Sequence, residues 1–255
     1  MVENFYLTET HSLLQLLRIS FSHYGKTLKA ILPFILLGTV VQDAYIYVGG
    51  MPNIQLFRVI VITVMAVLAV YIWSAALLRA HQVLSGEPRS IREVFRSIYA
   101  KASSIYAGFF ALILGFCLIF FIGHALTTII VAFASNKSLV RGLSYLFLIG
   151  FPVTFLLVIF FFAIPLLIVE QVDVWPAFRE NARLVGYKHW LKVFSGYASV
   201  IITLFIVMPG TRHAMWLRTH YVSFFFDILV LIVVAPLIIN FVLVLLSDLR
   251  LRKKG

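Results

Sequence analysis

The stretch that decides the fold is Ile105-Tyr-Ala-Gly-Phe-Phe-Ala-Leu-Ile-Leu-Gly-Phe-Cys-Leu-Ile-Phe-Phe-Ile-Gly-His-Ala-Leu-Thr-Thr-Ile-Ile-Val-Ala-Phe-Ala134. It holds no Asp, Glu, Lys or Arg. About 20 apolar residues carry a helix across the hydrocarbon of a bilayer. This run is longer, so it must tilt, break or extend beyond the membrane. No soluble core of this chain's size hides such a segment together with the others like it. Hydrophobic residues make up 62% of the 255 residues and charged ones 12%. Soluble domains are about half apolar and a quarter charged.

Working outward, five more apolar spans are expected, at roughly Leu28–Val48, Val59–Leu78, Leu143–Val169, Leu191–Val207 and Ser223–Leu246. Gly49, Gly50, Pro52 and Asn53 read as a short loop, and Pro209 with Gly210 as the end of the fifth span. Trp216 and Tyr221 in the following loop suit an interfacial aromatic belt. Ser247–Gly255 reads as a basic tail. Met1 to Ser12 has acids and no apolar core, so the first span is expected to act as an uncleaved insertion signal. The lone Cys117 excludes an internal disulfide and a cysteine-based zinc site, and is expected to pack as a small hydrophobe.

The net charge is +11. Basic residues at membrane edges set topology and meet anionic headgroups, which accounts for this charge without nucleic acid. Of the 21 cations, 16 fall on one side of the six-span layout. They are Arg18, Lys26, Lys29, Arg79, Arg89, Arg92, Arg96, Lys101, Arg179, Arg183, Lys188, Lys192, Arg250, Arg252, Lys253 and Lys254. Arg58, Lys137, Arg141, Arg212 and Arg218 fall on the other. The positive-inside rule then puts both termini in the cytoplasm.

Three segments on the basic side look alike. Leu17-Arg18, Phe95-Arg96 and Phe178-Arg179 superimpose at steps of 78 and 83 residues. Ser12, Ser90 with Glu93, and Asp173 with Pro176 are helix-start signals. Each segment is expected to be an amphipathic helix lying on the interface, with Arg18, Arg96, Arg179 and Arg183 towards headgroups. The expected architecture is therefore all-α: one membrane domain, 1–255, of six transmembrane helices in three hairpins. Its possible repeat units span about 10–80, 88–169 and 172–246.

Pro165-Leu-Leu-Ile-Val-Glu170, Ala177-Phe178, Asn181, Leu184 and Trp190 together resemble a pattern of the YciC-like bacterial inner-membrane proteins. A related pattern occurs in the membrane domain of some glycerophosphodiester phosphodiesterases. Asn181 stands where those families more often carry serine. The resemblance implies a bacterial inner-membrane protein of the envelope and brings no active site with it. The residues themselves allow Glu170 to receive cations or cap the next turn, and Trp190 to anchor the fifth span at headgroup level.

Asp43, His124, Asp227 and Asn240 are polar positions in or near the spans. Ionisable groups in a membrane are often functional. Asp43, His124 and Asp227 could meet in the outer leaflet as a proton relay. The plainer alternative is that the carboxylates reach interfacial water and His124 bonds a neighbouring helix. Gly108, Ala111 and Gly115 read as a packing stripe. No phosphate loop, metal-ligand spacing or catalytic triad is legible, so no catalytic residue, metal or cofactor is expected. The leading expectation is a non-enzymatic protein whose basic helices engage anionic lipid or a membrane-protein partner. A small transporter or lipid-handling protein is the alternative, and a membrane-embedded enzyme has the least behind it.

Overall fold

The computed structural model describes residues 7, 9–49, 55–134, 136–216 and 220–254. Backbone alone is described at 42–43, 45–49, 55–58, 159–160, 187–188, 197, 199–216, 220–228 and 254. Among these residues the fold is all-helical. The helices are α1 (Leu13–Ser22), α2 (Tyr24–Gly49), α3 (Gln55–Leu84), α4 (Ile91–Ala100) and α5 (Ala102–Ala132). Then come α6 (Lys137–Tyr145), a π turn (Leu146–Gly150), α7 (Phe151–Phe160), α8 (Ala163–Val169), α9 (Val174–Trp216) and α10 (His220–Lys254).

Five stretches are long and apolar enough to cross a membrane: Tyr24–Val41, Val59–Leu84, Ala102–Ala132, Lys137–Val169 and Leu229–Lys253. The chain is a multi-pass membrane protein. The expected fifth span, Leu191–Val207, lies on α9 mostly where backbone alone is described. Burial ranks the spans. In the most apolar 18-residue stretch of the α10 span 56% of residues are buried, against 11% in that of α5. So α10 is central, and α5 is a peripheral helix offering Phe110, Leu118, Phe121 and Ile129 outward. Cys117 is exposed there too, so it does not pack inside as expected. Apolarity alone does not separate a residue that faces lipid from one that faces protein.

Three boundaries differ from the sequence expectation. The helix runs through Pro209 and Gly210 to Trp216, because a proline in a spanning helix is tolerated where its freed backbone groups are re-satisfied locally. The basic tail is the last two turns of α10. The fourth span, expected as one helix, has a π turn before Pro152 and a break at Phe161–Phe162 before Pro165. A proline ring clashes with the carbonyl four residues back and offers no N–H to it. Those carbonyls are Leu148 and Phe161, which sit in the two irregular places.

The three short helices start at Leu13, Ile91 and Val174, at the same steps of 78 and 83 residues as the arginine motifs. Ser12 and Ser90 each form a full capping box, with Gln15 and Glu93. Corresponding positions share burial: Leu16, Val94 and Ala177 are buried, as are Ser20, Ile98 and Asn181. The following helices begin after His23, after Lys101 and at the Gly186 kink. Gly186 has φ +37°, a conformation that side chains with a Cβ rarely adopt.

Glycines set how closely α5 meets the fourth span. A Cβ at Gly108 would stand 2.5 Å from Leu167, and one at Gly123 2.4 Å from Ile149 and 2.7 Å from the Leu148 carbonyl oxygen. Gly115 meets Leu156, whereas Ala111 is exposed, so the seam runs through 108, 115 and 123. Gly123→Ala should lower stability by about 1–3 kcal/mol, because backbone must move to admit the methyl. Gly142→Ala, with open space at its Cβ, should change little. Thermal unfolding of both variants in detergent checks the contrast.

Candidate functional site

The polar groups gather at the end of the bundle where both terminal segments meet. Asp248, on the last turns of α10, is fully buried. Its Oδ1 accepts the His11 backbone N–H at 2.7 Å. Its Oδ2 accepts from Lys192 Nζ at 2.6 Å and Arg252 Nε at 2.8 Å. The same two cations donate to the His11 carbonyl, at 2.6 and 2.9 Å. Both backbone polar groups of His11 are thus held, and the segment before α1 is fastened to α9 and α10. A buried carboxylate is tolerated when each lone pair has a partner.

Further links extend this end. Arg250 pairs with Glu170, and Lys253 with Glu180 at 2.6 Å. Lys101 meets Asp173 at 3.2 Å, joined by the Ser104 hydroxyl at 3.2 Å. Gln171 Nε2 donates to the Ser97 hydroxyl at 2.5 Å. Gln171 holds φ 54°, an unusual conformation for a residue other than glycine. The loop 170–173 is therefore tied at three of its four residues, to α10, α4 and the start of α5. Arg79 donates to the Arg89 carbonyl, closing the turn between α3 and α4.

The family-like motif divides into two roles. Pro165, Ala177, Asn181 and Leu184 are buried. Asn181 Oδ1 accepts the Phe162 N–H at 3.1 Å, serving the backbone at the α7–α8 break. Asparagine thus has a structural task there. Glu170 receives a cation, one of its two expected roles. Trp190 is different. It stacks on Phe194 at 5.1 Å and lies 6.4 Å from Phe155, with its indole nitrogen buried and without a partner among the described residues. It packs between aromatic neighbours instead of reaching headgroups with its N–H.

Of the polar span positions, His124 and Asn240 have described side-chain surroundings. Asp43 and Asp227 lie on α2 and α10, but their side chains are outside the described residues. His124 is on the exposed side of α5, with Nδ1 2.8 Å from the Tyr145 hydroxyl of α6, so it bonds a neighbouring helix. Asn240 is buried, accepts the Thr27 hydroxyl at 2.6 Å and donates to the Ser20 carbonyl at 3.0 Å. It locks α10 to α1 and α2.

Arg18, Arg96, Arg179 and Arg183 are all exposed, and none makes an ion pair among the described residues. Beside the last two lies a half-open cleft of ≈ 390 Å³, between the end of α8 and the first turns of α9. Glu170, Trp175, Arg179, Glu180 and Arg183 line it. Comparison of the chain with protein-family models, curated proteins and solved structures finds no match.

Sequence reading missed Asp248, Lys192 and Trp175 as participants. The signal for the first was present: Asp248 and Arg252 are spaced i,i+4, which pairs side chains only if the tail is helical. Asp248→Ala should cost about 2–4 kcal/mol. That is below the fully buried range, since Lys192 and Arg252 keep 18% and 29% of their side chains exposed. Thermal unfolding, with protease cleavage ahead of Ser12, should show earlier melting and release of the N-terminal segment.

Hydrogen bonds from Lys101, then from Ser104, hold the Asp173 carboxyl below its usual range. A depressed carboxylate contributes stability above its ordinary pKa of about 3.9 and loses it as pH falls through the lower folded value. The link from α5 to the loop should accordingly survive from pH 7 to pH 5. Acid titration of loop proteolysis should show a step below about pH 4, absent in Asp173→Asn.

Proposed function

We propose that this chain is a non-enzymatic protein of the bacterial inner membrane whose basic, cytoplasmic face engages anionic lipid. It would have six spans in three tandem units, each led by an interfacial helix, and both termini inside. The resemblance to YciC-like proteins supports the location, and the shared steps and burial of the three short helices support the tandem units.

One observation carries the lipid reading. Five carboxylates at this end are already engaged: Glu170, Asp173, Glu180 and Asp248 with cations, and Glu93 in its helix cap, while Glu9 and Glu87 are exposed and make no ion pair among the described residues. Arg18, Arg96, Arg179 and Arg183 stay exposed and without ion pairs among the described residues. Arg18, Arg96 and Arg179 recur at the same register of three similarly placed helices, and Arg183 follows one turn later on the third. Apolar residues accompany them outward: Leu14, Phe21, Ile91, Tyr99 and Trp175 are exposed on the same short helices. Exposed apolar groups beside unneutralised cations suit the boundary between acyl chains and anionic headgroups. Each cation near such a surface contributes about 1 kcal/mol.

The test is the lipid that accompanies the purified protein. Against bulk membrane lipid, the wild type should be enriched in anionic phospholipid over phosphatidylethanolamine. Replacing all four arginines by glutamine should reduce that enrichment about fivefold or more. An unchanged ratio in the quadruple variant would overturn the proposal.

A further inference from the structure

The cleft beside α9 distinguishes the third short helix from the other two. Trp175, Arg179 and Arg183 follow one another at i, i+4 and i+8, which sets them in one row along the helix. Both carboxylates on the cleft wall are occupied, Glu170 by Arg250 and Glu180 by Lys253. They bring two further cations alongside and leave the two guanidiniums unneutralised. The loop forming the opposite wall is fixed by Gln171 on Ser97 and by Asp173 on Lys101 and Ser104. A wall held this way needs little ordering when a ligand enters. The volume of ≈ 390 Å³ lies within the range of small-molecule sites.

The other two helices lack this arrangement. Arg18 and Arg96 stand at the register of Arg179, but Ser22 and Ala100 stand at that of Arg183. Leu14 and Arg92 stand where the third helix has Trp175. General attraction to a charged membrane would need no paired arginines, no tryptophan and no cleft. Two guanidiniums one turn apart can grip one phosphate through several N–H groups. A largely exposed indole beside them suits the headgroup level of a bilayer.

We propose that this cleft is a binding site for the phosphate of an anionic glycerophospholipid headgroup, gripped by Arg179 and Arg183 and flanked by Trp175. The site rests on the lipid reading above and adds a place and a stoichiometry to it: one lipid bound ahead of the general annulus.

The test uses the full chain in detergent, titrated with phosphatidylglycerol, with phosphatidylcholine of the same acyl chains, and with inorganic phosphate, followed by native mass spectrometry. A first phosphatidylglycerol should bind at least tenfold more tightly than phosphatidylcholine. Arg179→Gln with Arg183→Gln should weaken that first event about tenfold or more. Arg18→Gln with Arg96→Gln should change it less than about twofold. Arg179→Lys with Arg183→Lys, which keeps charge but not the guanidinium fork, should recover only part of the loss. A second readout does not need the arginine variants to fold. Phosphatidylglycerol brominated at a shallow acyl position should quench Trp175 emission, taken as the difference from Trp175→Phe.

Equal weakening by both double glutamine variants would overturn the cleft site while leaving the general lipid reading standing. No weakening by either, with no quenching of Trp175, would overturn both. Displacement of phosphatidylglycerol by inorganic phosphate at equal concentration would overturn the lipid assignment of the site.

Discussion

A peptide group inside hydrocarbon has no water to bond, so its N–H and C=O must find partners within the protein. Helices meet that demand by themselves, which is why runs as apolar as Ile105–Ala134 become helices whatever their intrinsic propensity. Where the sequence interrupts a helix, another group has to answer. Pro165 opens the chain at Phe161–Phe162, and Asn181 of a neighbouring helix accepts the Phe162 N–H. Asn240 does similar service between α10, α1 and α2. The polar residues inside this protein therefore act first as fastenings of backbone and helix.

The same scarcity of partners shapes the charged end. Asp248 tolerates burial because a backbone N–H and two cations surround it. That arrangement brings the segment before α1, the start of the second arm of α9 and the last turns of α10 to one place. Most local carboxylates are used in such links, and Arg18, Arg96, Arg179 and Arg183 on the short helices make no ion pair among the described residues. Their field is then directed outward. The fold in this way converts a large net charge into a surface with a defined position.

Much of this was legible in the sequence, because length and apolarity answer directly to bilayer thickness. The spans and the starts of the short helices follow from runs and caps such as Ser90 with Glu93. Other features were hidden for identifiable reasons. Cys117 and Phe121 face outward, yet an apolar residue reads the same against lipid as against protein. The tail after Leu246 looks like a basic end, and only the helical register shows Asp248 meeting Arg252. Trp190 resembled a headgroup anchor because aromatic residues at span ends often are, but Phe155 and Phe194 enclose it. The cleft joins α8 and the start of α9 across a loop turned by the positive φ of Gln171, a conformation with no sequence signal in glutamine.

The chain is a multi-pass helical membrane protein, and the proposed topology puts both its ends on the basic side, in the cytoplasm. Single cysteines placed at Glu9, Lys137 and Gly255, each in a Cys117→Ser background, test it with a membrane-impermeant maleimide on intact cells. The account predicts labelling from outside only for the variant at Lys137, and labelling of the other two after the membrane is opened. Labelling of the Glu9 or Gly255 variant on intact cells would contradict it.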